Sequence, residues 1–169
     1  MAGTTVAVTG ASGFVASELI AQLLAKGYTV RGSVRSIDDP KKTAHLTSLA
    51  GAQERLSLFA ADVLDGEAAF TAAFAGCEIV FHTACPFVPM SRAKALGEDY
   101  FTAPAVAGTL NVLRAAEAAE TVRRVVMTSS TAAIFKRLVE PGHVYDESTW
   151  NDVEELKTRE MWYSIGKTK

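Results

Sequence analysis

Two residues near the carboxyl end of this 169-residue chain, Tyr163 and Lys167, stand four positions apart. On a helix, positions i and i+4 share a face, so the ammonium would lie beside the phenol. A tyrosine alone titrates near about 10, too high to exchange protons readily at neutral pH, but a close cation favours the phenolate and lowers that value. The pair is therefore suited to acid-base work on a substrate oxygen. The same spacing also occurs on plain helix surfaces, so its meaning depends on what else the chain supplies. Two hydroxyls, Ser129 and Ser130, come directly after Thr128, beyond the stretch Arg123 to Met127 with its Val125-Val126 pair.

At the other end of the chain, Val6, Ala7 and Val8 give way to Thr9, Gly10, Ala11, Ser12, Gly13, Phe14, Val15 and Ala16. Thr5 to Leu19 reads as strand, tight turn and helix. Gly10 can take a turn conformation that other residues resist, and Gly13 has no Cβ to block a pyrophosphate approaching the backbone. Ala16 keeps a third small position, which lets helix and strand pack closely. The amides at the helix start would face the phosphates, where the helix dipole favours negative charge. Leu19, Ile20, Leu23 and Leu24 then mark one side of a helix ended by Gly27, and Tyr28 to Val34 is a second β-branched strand. This is the strand-helix-strand unit of a mononucleotide-binding half.

Where a binder of NAD would carry an acid at the end of the second strand, this chain has Arg35, with Arg31 before it and Lys41 and Lys42 after. An acid there pairs with the ribose 2′-hydroxyl, whereas cations accommodate a 2′-phosphate. The cofactor read from this pattern is NADP(H). Asp38 and Asp39 share the loop, and charge pattern alone also fits a solvated turn.

The remaining elements would position these groups. A short helix is expected over 41–50, a strand over Leu56 to Ala60, and Asp62 and Val63 after it. Asp62 could accept from the adenine amino group or cap the next helix, since Asp65 and Gly66 lie there too. Glu78 to Thr83 reads as the fourth strand, ending in the small residues Thr83, Ala84 and Cys85 that a nicotinamide ribose needs for close approach. His82 reads as a packing histidine rather than a catalyst. Val106, Leu110, Leu113 and Ala116 or Glu117 mark a long helix from Pro104 to Ala119, and Arg123 to Met127 the fifth strand, with a buried Val-Val pair. In open α/β sheets ligands lie at the carboxyl ends of strands, so Ser129 and Ser130 would be aimed at the crevice of the glycine loop.

With 49% hydrophobic residues, 169 residues can bury a sizeable core, and a formal net charge of -2 gives no general pull toward nucleic acid or an acidic membrane. Cys77 and Cys85 read as reduced packing residues, and no zinc or other metal-ligand spacing is present. No signal-type leader or membrane-length apolar run is seen, which points to a soluble cytoplasmic protein.

Taken together, these motifs resemble the amino-terminal portion of an extended short-chain dehydrogenase/reductase, and more narrowly of the dihydroflavonol reductase, cinnamoyl-CoA reductase and anthocyanidin reductase group. The loop Thr9 to Ala16 resembles the family's Thr-Gly-x-x-Gly-x-x-Gly/Ala pattern. The narrower likeness rests on Gly27 to Arg35, Ala61 to Leu64, Phe81 to Pro86, Val122 to Ser130 and Trp162 to Lys167. The most discriminating segment is Tyr145, Asp146, Glu147, Ser148 and Trp150, which has no generic role in nucleotide binding. The resemblance implies a Rossmann-type doubly wound parallel sheet over 1–169, incomplete at its carboxyl end, in an enzyme reducing a ketone or aldehyde to an alcohol. It implies that Tyr163 donates the proton to the carbonyl oxygen and that Lys167 holds the ribose hydroxyls and tunes Tyr163. Ser130, with Ser129 as the alternative, would hydrogen-bond the developing oxyanion. Gly10, Gly13 and Phe14, with Ser12 and Val15 in the same loop, would line the pyrophosphate. Arg35 and Lys42 would take the 2′-phosphate, Asp62 and Val63 the adenine, and Thr83 and Ala84 the nicotinamide ribose.

Two departures stand out. The Asn of the family's Asn-Val-x-Gly-Thr pattern is Ala105 here, and Thr131 to Phe135 lacks the polar, Asn-containing stretch of the plant flavonoid reductases, which argues against a flavonoid substrate. The chain also stops two residues past Lys167, whereas the family continues through a substrate lobe. The readings left open are a fragment of a longer reductase, a non-catalytic reductase-derived scaffold with a protein partner, and a sugar-nucleotide epimerase or dehydratase.

Overall fold

A computed structural model of the chain describes residues 3–88, 90–135 and 139–169. They fall into two compact units, one running to Ala84 and including Thr109–Thr128, the other formed by Cys85–Gly108 and Ser129–Lys169. In chain order the elements are β1 (Thr5–Thr9), α1 (Phe14–Ala25), β2 (Thr29–Val34), α2 (Pro40–Thr47), α3 (Ala52–Arg55), β3 (Leu56–Ala60), α4 (Thr71–Phe74), β4 (Ile79–His82), α5 (Met90–Ala118), β5 (Arg124–Met127), α6 (Val153–Thr158) and α7 (Trp162–Thr168). Short 3₁₀ turns lie at Glu67–Phe70 and Thr131–Ala133.

The first unit is a five-stranded sheet in the order β3-β2-β1-β4-β5, every pair parallel. The chain builds outward from β1 through β2 and β3, then returns to place β4 and β5 on the other side of β1. Such a reversal opens a crevice between β1 and β4 at their carboxyl ends. It is the Rossmann-type doubly wound sheet expected.

Alternation along β1 gives the sheet its two covered faces. Val6 and Val8 pack with Ile20, Leu23 and Leu24 of α1 and with Val30, Val34 and Leu46. Ala7 faces the other way, toward Phe70, Phe74, Cys77, Val80, Val112, Ala115 and Ala116. Asp39 caps α2 by accepting from the Lys41 amide, and Pro40 fits the first turn, where its missing N–H costs nothing.

Three expectations are corrected. Helix α5 begins at Met90, not Pro104; it is interrupted at Gly97 (φ 76°, ψ 176°) and carries Pro104 inside, at the cost of one hydrogen bond to the Tyr100 carbonyl. Its buried stripe in the first unit is Val112, Ala115 and Ala116, while Leu110 and Leu113 are exposed. Small alanines let the helix axis approach the sheet, so they win over the bulkier stripe that the spacing also allowed. The expected buried Val-Val pair in β5 is not formed: Val125 is half-buried, but Val126 is 42% and Met127 54% exposed. Among the described residues β5 is the edge of the sheet and pairs with β4 alone.

In the second unit, Asp152 caps α6 by accepting from the amides of Glu154 and Glu155, and Glu160 ends it with a left-handed φ of 53°. Leu156, Ile165, Phe101, Ala132 and Ala133 are buried. No helix among the described residues is long and apolar enough to cross a membrane.

Candidate active site

The glycine turn of the first unit is held at three points. Gly10 has φ +65°, a region that side chains with a Cβ resist, and the Ala11 amide donates to the Ser33 carbonyl at 2.8 Å. The Gly13 amide donates to the Gly10 carbonyl at 2.8 Å, and a Cβ on Gly13 would meet that same oxygen at 3.1 Å. Helix α1 then starts with no side-chain cap and no acid in its first turn. Its first amides are left for another acceptor. Phe14 is 92% exposed, and Val15 is exposed beside it, whereas Ala16 is buried in the core. Ser12 is half-buried within the turn.

Gly32 was missed as a site residue. A Cβ there would lie 2.8 Å from the Ala11 Cβ, so β2 can approach the turn only because residue 32 has no side chain. A glycine inside a strand pattern is the signal that could have found it.

Around β2 the cations divide. Arg35 is exposed and makes no ion pair with any described residue. Lys42 pairs with Asp39 at 3.4 Å, and Asp39 is also the cap of α2, which accounts for one of the two acids in the loop. Arg31 is drawn elsewhere: its guanidinium donates to the Ala72 carbonyl at 2.8 Å and lies over the Phe59 ring. It is thereby removed from the cations that the sequence groups around the end of β2. Next to it, burial pushes the Cys77 thiol up to about 11, with Arg31 partly opposing.

Asp62 and Val63 form a tight turn after β3. Asp62 Oδ1 accepts from the Leu64 amide at 3.0 Å, and Asp65 Oδ2 accepts from the Asp62 amide at 3.1 Å. The Val63 carbonyl accepts from Asn111 Nδ2 at 2.9 Å. Asn111, 48 residues away, carries no sequence signal for this role. At the end of β4, the Thr83 and Ala84 amides both donate to Thr9 Oγ1 at 3.2 Å.

The second unit carries the hydroxyls and the Tyr/Lys pair. Ser130 Oγ accepts from the Ala132 amide at 3.1 Å, which starts the 3₁₀ turn and leaves the hydroxyl proton available to donate. Ser129 is exposed beside it. Tyr163 and Lys167 lie on one face of α7, with Lys167 Nζ 5.9 Å from the Tyr163 ring centroid. Phe87 and Phe101 meet the Tyr163 ring edge-on at 5.4 Å and 6.3 Å. Two residues that sequence reading passed over locate these groups. A Cβ on Gly166 would come 3.0 Å from the Phe101 carbonyl oxygen, so glycine sets how closely α7 approaches α5. Buried Asn151 donates to the Ala132 carbonyl at 2.7 Å and to Thr168 Oγ1 at 3.3 Å, joining the turn after Ser130 to α7.

Residues 7–163 match the 3-beta hydroxysteroid dehydrogenase/isomerase family. The chain is 45% identical over 165 residues to tetraketide alpha-pyrone reductase 1 of Arabidopsis thaliana, covering 96% of this chain and 49% of that protein. It is 46% identical over 168 residues to cinnamoyl-CoA reductase 1 of Petunia hybrida, covering 99% of this chain and 47% of that one. The crystal structure of the yeast methylglyoxal/isovaleraldehyde reductase complexed with NADPH superposes with a TM-score of 0.81 at 29% identity, over 98% of this chain and 50% of that one. The chain thus spans about half the length of the curated relatives it matches. The doubly wound sheet, the glycine turn at its point of reversal and the match across 7–163 make the chain a member of the 3-beta hydroxysteroid dehydrogenase/isomerase family, in the extended short-chain dehydrogenase/reductase group that includes the cinnamoyl-CoA reductases.

Proposed function

We propose that this chain is the NADP(H)-binding half of a reductase that converts a ketone or aldehyde to an alcohol. The observation that carries the cofactor reading is the glycine turn at the β1/β4 reversal, with the cation Arg35, which pairs with no described acid, just past β2. The cradle fits a dinucleotide: Gly10 and Gly13 hold positions a Cβ would obstruct, and Ser12, Phe14 and Val15 bring uncapped helix amides to the pyrophosphate. Arg35 takes the 2′-phosphate, joined by Lys42 when it leaves Asp39. Asp62 and Val63 bound the adenine. Thr83 and Ala84 border the nicotinamide ribose.

When bound, the dinucleotide supplies a hydride to the carbonyl carbon. Tyr163 delivers its phenolic proton to the carbonyl oxygen, so that hydride and proton together make the alcohol. Ser130, whose lone pair is engaged by the Ala132 amide, donates its hydroxyl proton as a hydrogen bond to that oxygen, with Ser129 as the alternative donor. Lys167 holds the ribose hydroxyls and keeps a positive charge beside Tyr163. Phe87, 74% exposed and edge-on to Tyr163, gives the carbonyl's neighbours an apolar surface, which favours substrates with a hydrophobic group next to the reacting carbon. The free thiols of Cys77 and Cys85 suit a reducing compartment such as the cytoplasm.

The test is cofactor titration of the chain, followed by fluorescence or calorimetry. NADPH should bind far more tightly than NADH, and Arg35→Ala should weaken NADPH by roughly 10- to 100-fold, the loss of a charge-assisted contact, while leaving NADH nearly unchanged. A folded chain that binds neither nucleotide overturns the reading.

A further inference from the structure

His82 ends β4 and is 4% exposed, directly across from Thr9, the last residue of β1. Its Nδ1 lies 2.8 Å from Thr9 Oγ1, and its Nε2 lies 3.2 Å from Thr109 Oγ1. The Thr9 hydroxyl has one proton and two lone pairs to offer. Both lone pairs are engaged, one by the Thr83 amide and one by the Ala84 amide, each at 3.2 Å. Its proton therefore goes to His82 Nδ1, which must be an acceptor. The ring is left as the neutral tautomer with its hydrogen on Nε2, donating to Thr109.

The consequence reaches the end of the strand. Thr83 Oγ1 donates to the Thr9 carbonyl, so the Thr83 hydroxyl keeps only lone pairs for any further partner. Ala84, turned toward Thr9 by its amide, has its Cα and Cβ 3.0 Å from where a Gly10 Cβ would stand. One buried ring thus fixes the Thr9 hydroxyl that receives the Thr83 and Ala84 amides, and with it how closely Ala84 borders the glycine turn, while the Thr9 carbonyl sets the direction of the Thr83 hydroxyl. Filling space alone would require no nitrogen at either position.

We propose that His82 is a positioning residue for the cofactor: as the Nε2-protonated tautomer it orients the Thr9 hydroxyl, and Thr9 holds Thr83–Ala84 so that Thr83 accepts from a sugar hydroxyl. The proposal rests on the NADP(H) reading above. Imidazole nitrogens are read by ¹⁵N NMR of the histidine-labelled chain, independently of any cofactor; His82 should show a bare Nδ1 and a protonated Nε2. Thr9→Val keeps the shape and removes the hydroxyl. It should shift the Thr83 and Ala84 amide resonances and weaken NADPH by about tenfold, as expected for losing one or two buried hydrogen bonds, while Thr9→Ser stays within about twofold of the parent. Should Thr9→Val fail to fold, His82→Asn, which retains an acceptor near the Nδ1 position, is compared with His82→Leu; only the leucine variant should lose affinity. A protonated Nδ1, or full NADPH affinity in folded Thr9→Val, or equal affinity in the two His82 variants, overturns the proposal. A parent chain that binds no NADPH sinks the cofactor reading and this proposal with it, whereas parental binding with an indifferent Thr9→Val sinks the proposal alone.

Discussion

A Cβ built on Gly10 would stand 3.0 Å from both the Cα and the Cβ of Ala84. The glycine turn and the end of β4 are therefore in contact through a hydrogen atom, and Gly10 also has φ +65°. Gly10→Ala meets two obstacles at once, a backbone region costing about 1–2 kcal/mol for an L-residue and a neighbour whose backbone must shift. We expect the variant to fold with a Tm lowered by roughly 2–4 °C per kcal/mol for a chain of this size, and to lose NADPH binding out of proportion to that change. Affinity equal to the parent's would show that the turn tolerates a wider strand gap than its geometry implies.

Gly166 plays the corresponding part in the second unit. Its missing Cβ faces the Phe101 carbonyl oxygen at 3.0 Å and the Ala105 Cβ at 3.3 Å. Gly166→Ala improves local helix propensity, yet the contact is with backbone, so α7 must move away from α5 by some tenths of an ångström. The balance is destabilising, by about 1–3 kcal/mol as for other overpacked sites. Because Tyr163 and Lys167 travel with α7, the proposed reductase activity should lose kcat more than it gains KM when this substitution is made. A parental melting temperature together with parental kcat would contradict this account.

The two thiols should differ in reactivity. Burial pushes Cys77 up to about 11, so at pH 8 only about one in a thousand is thiolate, and the group is inaccessible besides. Cys85 is half-buried at the end of β4. A disulfide reagent at pH 8 should titrate one thiol in the native chain and the second only after denaturation. Two thiols reacting at similar rates without denaturant would rule out the packing around Cys77.

What could be read beforehand is what local chemistry dictates. The apolar run Val6 to Val8 and the turn at Gly10 act through their own backbone, and strand, turn and helix form there as the sequence implies. Arg31 shows the limit of that reading. It has the same charge as Arg35 and lies in the same strand region, but the Ala72 carbonyl and the Phe59 ring, far away in sequence, claim it. Helix α5 offered two stripes at helical spacing, Leu110 with Leu113 and Val112 with Ala115 and Ala116, and only the proximity of the sheet selects the smaller one. Asn111 and Asn151 likewise act through carbonyls that tertiary structure alone brings to them. The Tyr145 to Trp150 segment was distinctive as a pattern, while its physical part emerges only from its hydrogen bonds.

Those hydrogen bonds give a pH dependence with a definite sign. Asp146 Oδ1 accepts from the Ser148 hydroxyl at 2.6 Å, the Ser148 amide at 3.0 Å and the Thr149 hydroxyl at 3.2 Å. The Ser148 hydroxyl, then its amide, then Thr149 hold the Asp146 carboxyl below its ordinary value of 3.8, with His143 adding a smaller pull. A carboxyl whose folded value is depressed stabilises the turn fully above its unfolded value, and that stabilisation is lost as pH falls through the folded one. The turn should therefore hold from neutrality down to pH 3.8 and loosen only below it, with the Ser148 amide resonance as the reporter. Asp146→Asn keeps an acceptor but no charge; it should abolish the titration and leave the turn partly formed at neutral pH, whereas Asp146→Ala should open it. Since the carboxyl is solvent-exposed, the effect stays local, and the global melting temperature at neutral pH should change little in either variant. A Ser148 midpoint at or above 3.8 would mean that the carboxylate gains nothing from its three donors. The turn would then be held by its other bonds, the Thr149 amide donating to the Asp146 carbonyl and the Asp146 amide to the Thr149 hydroxyl.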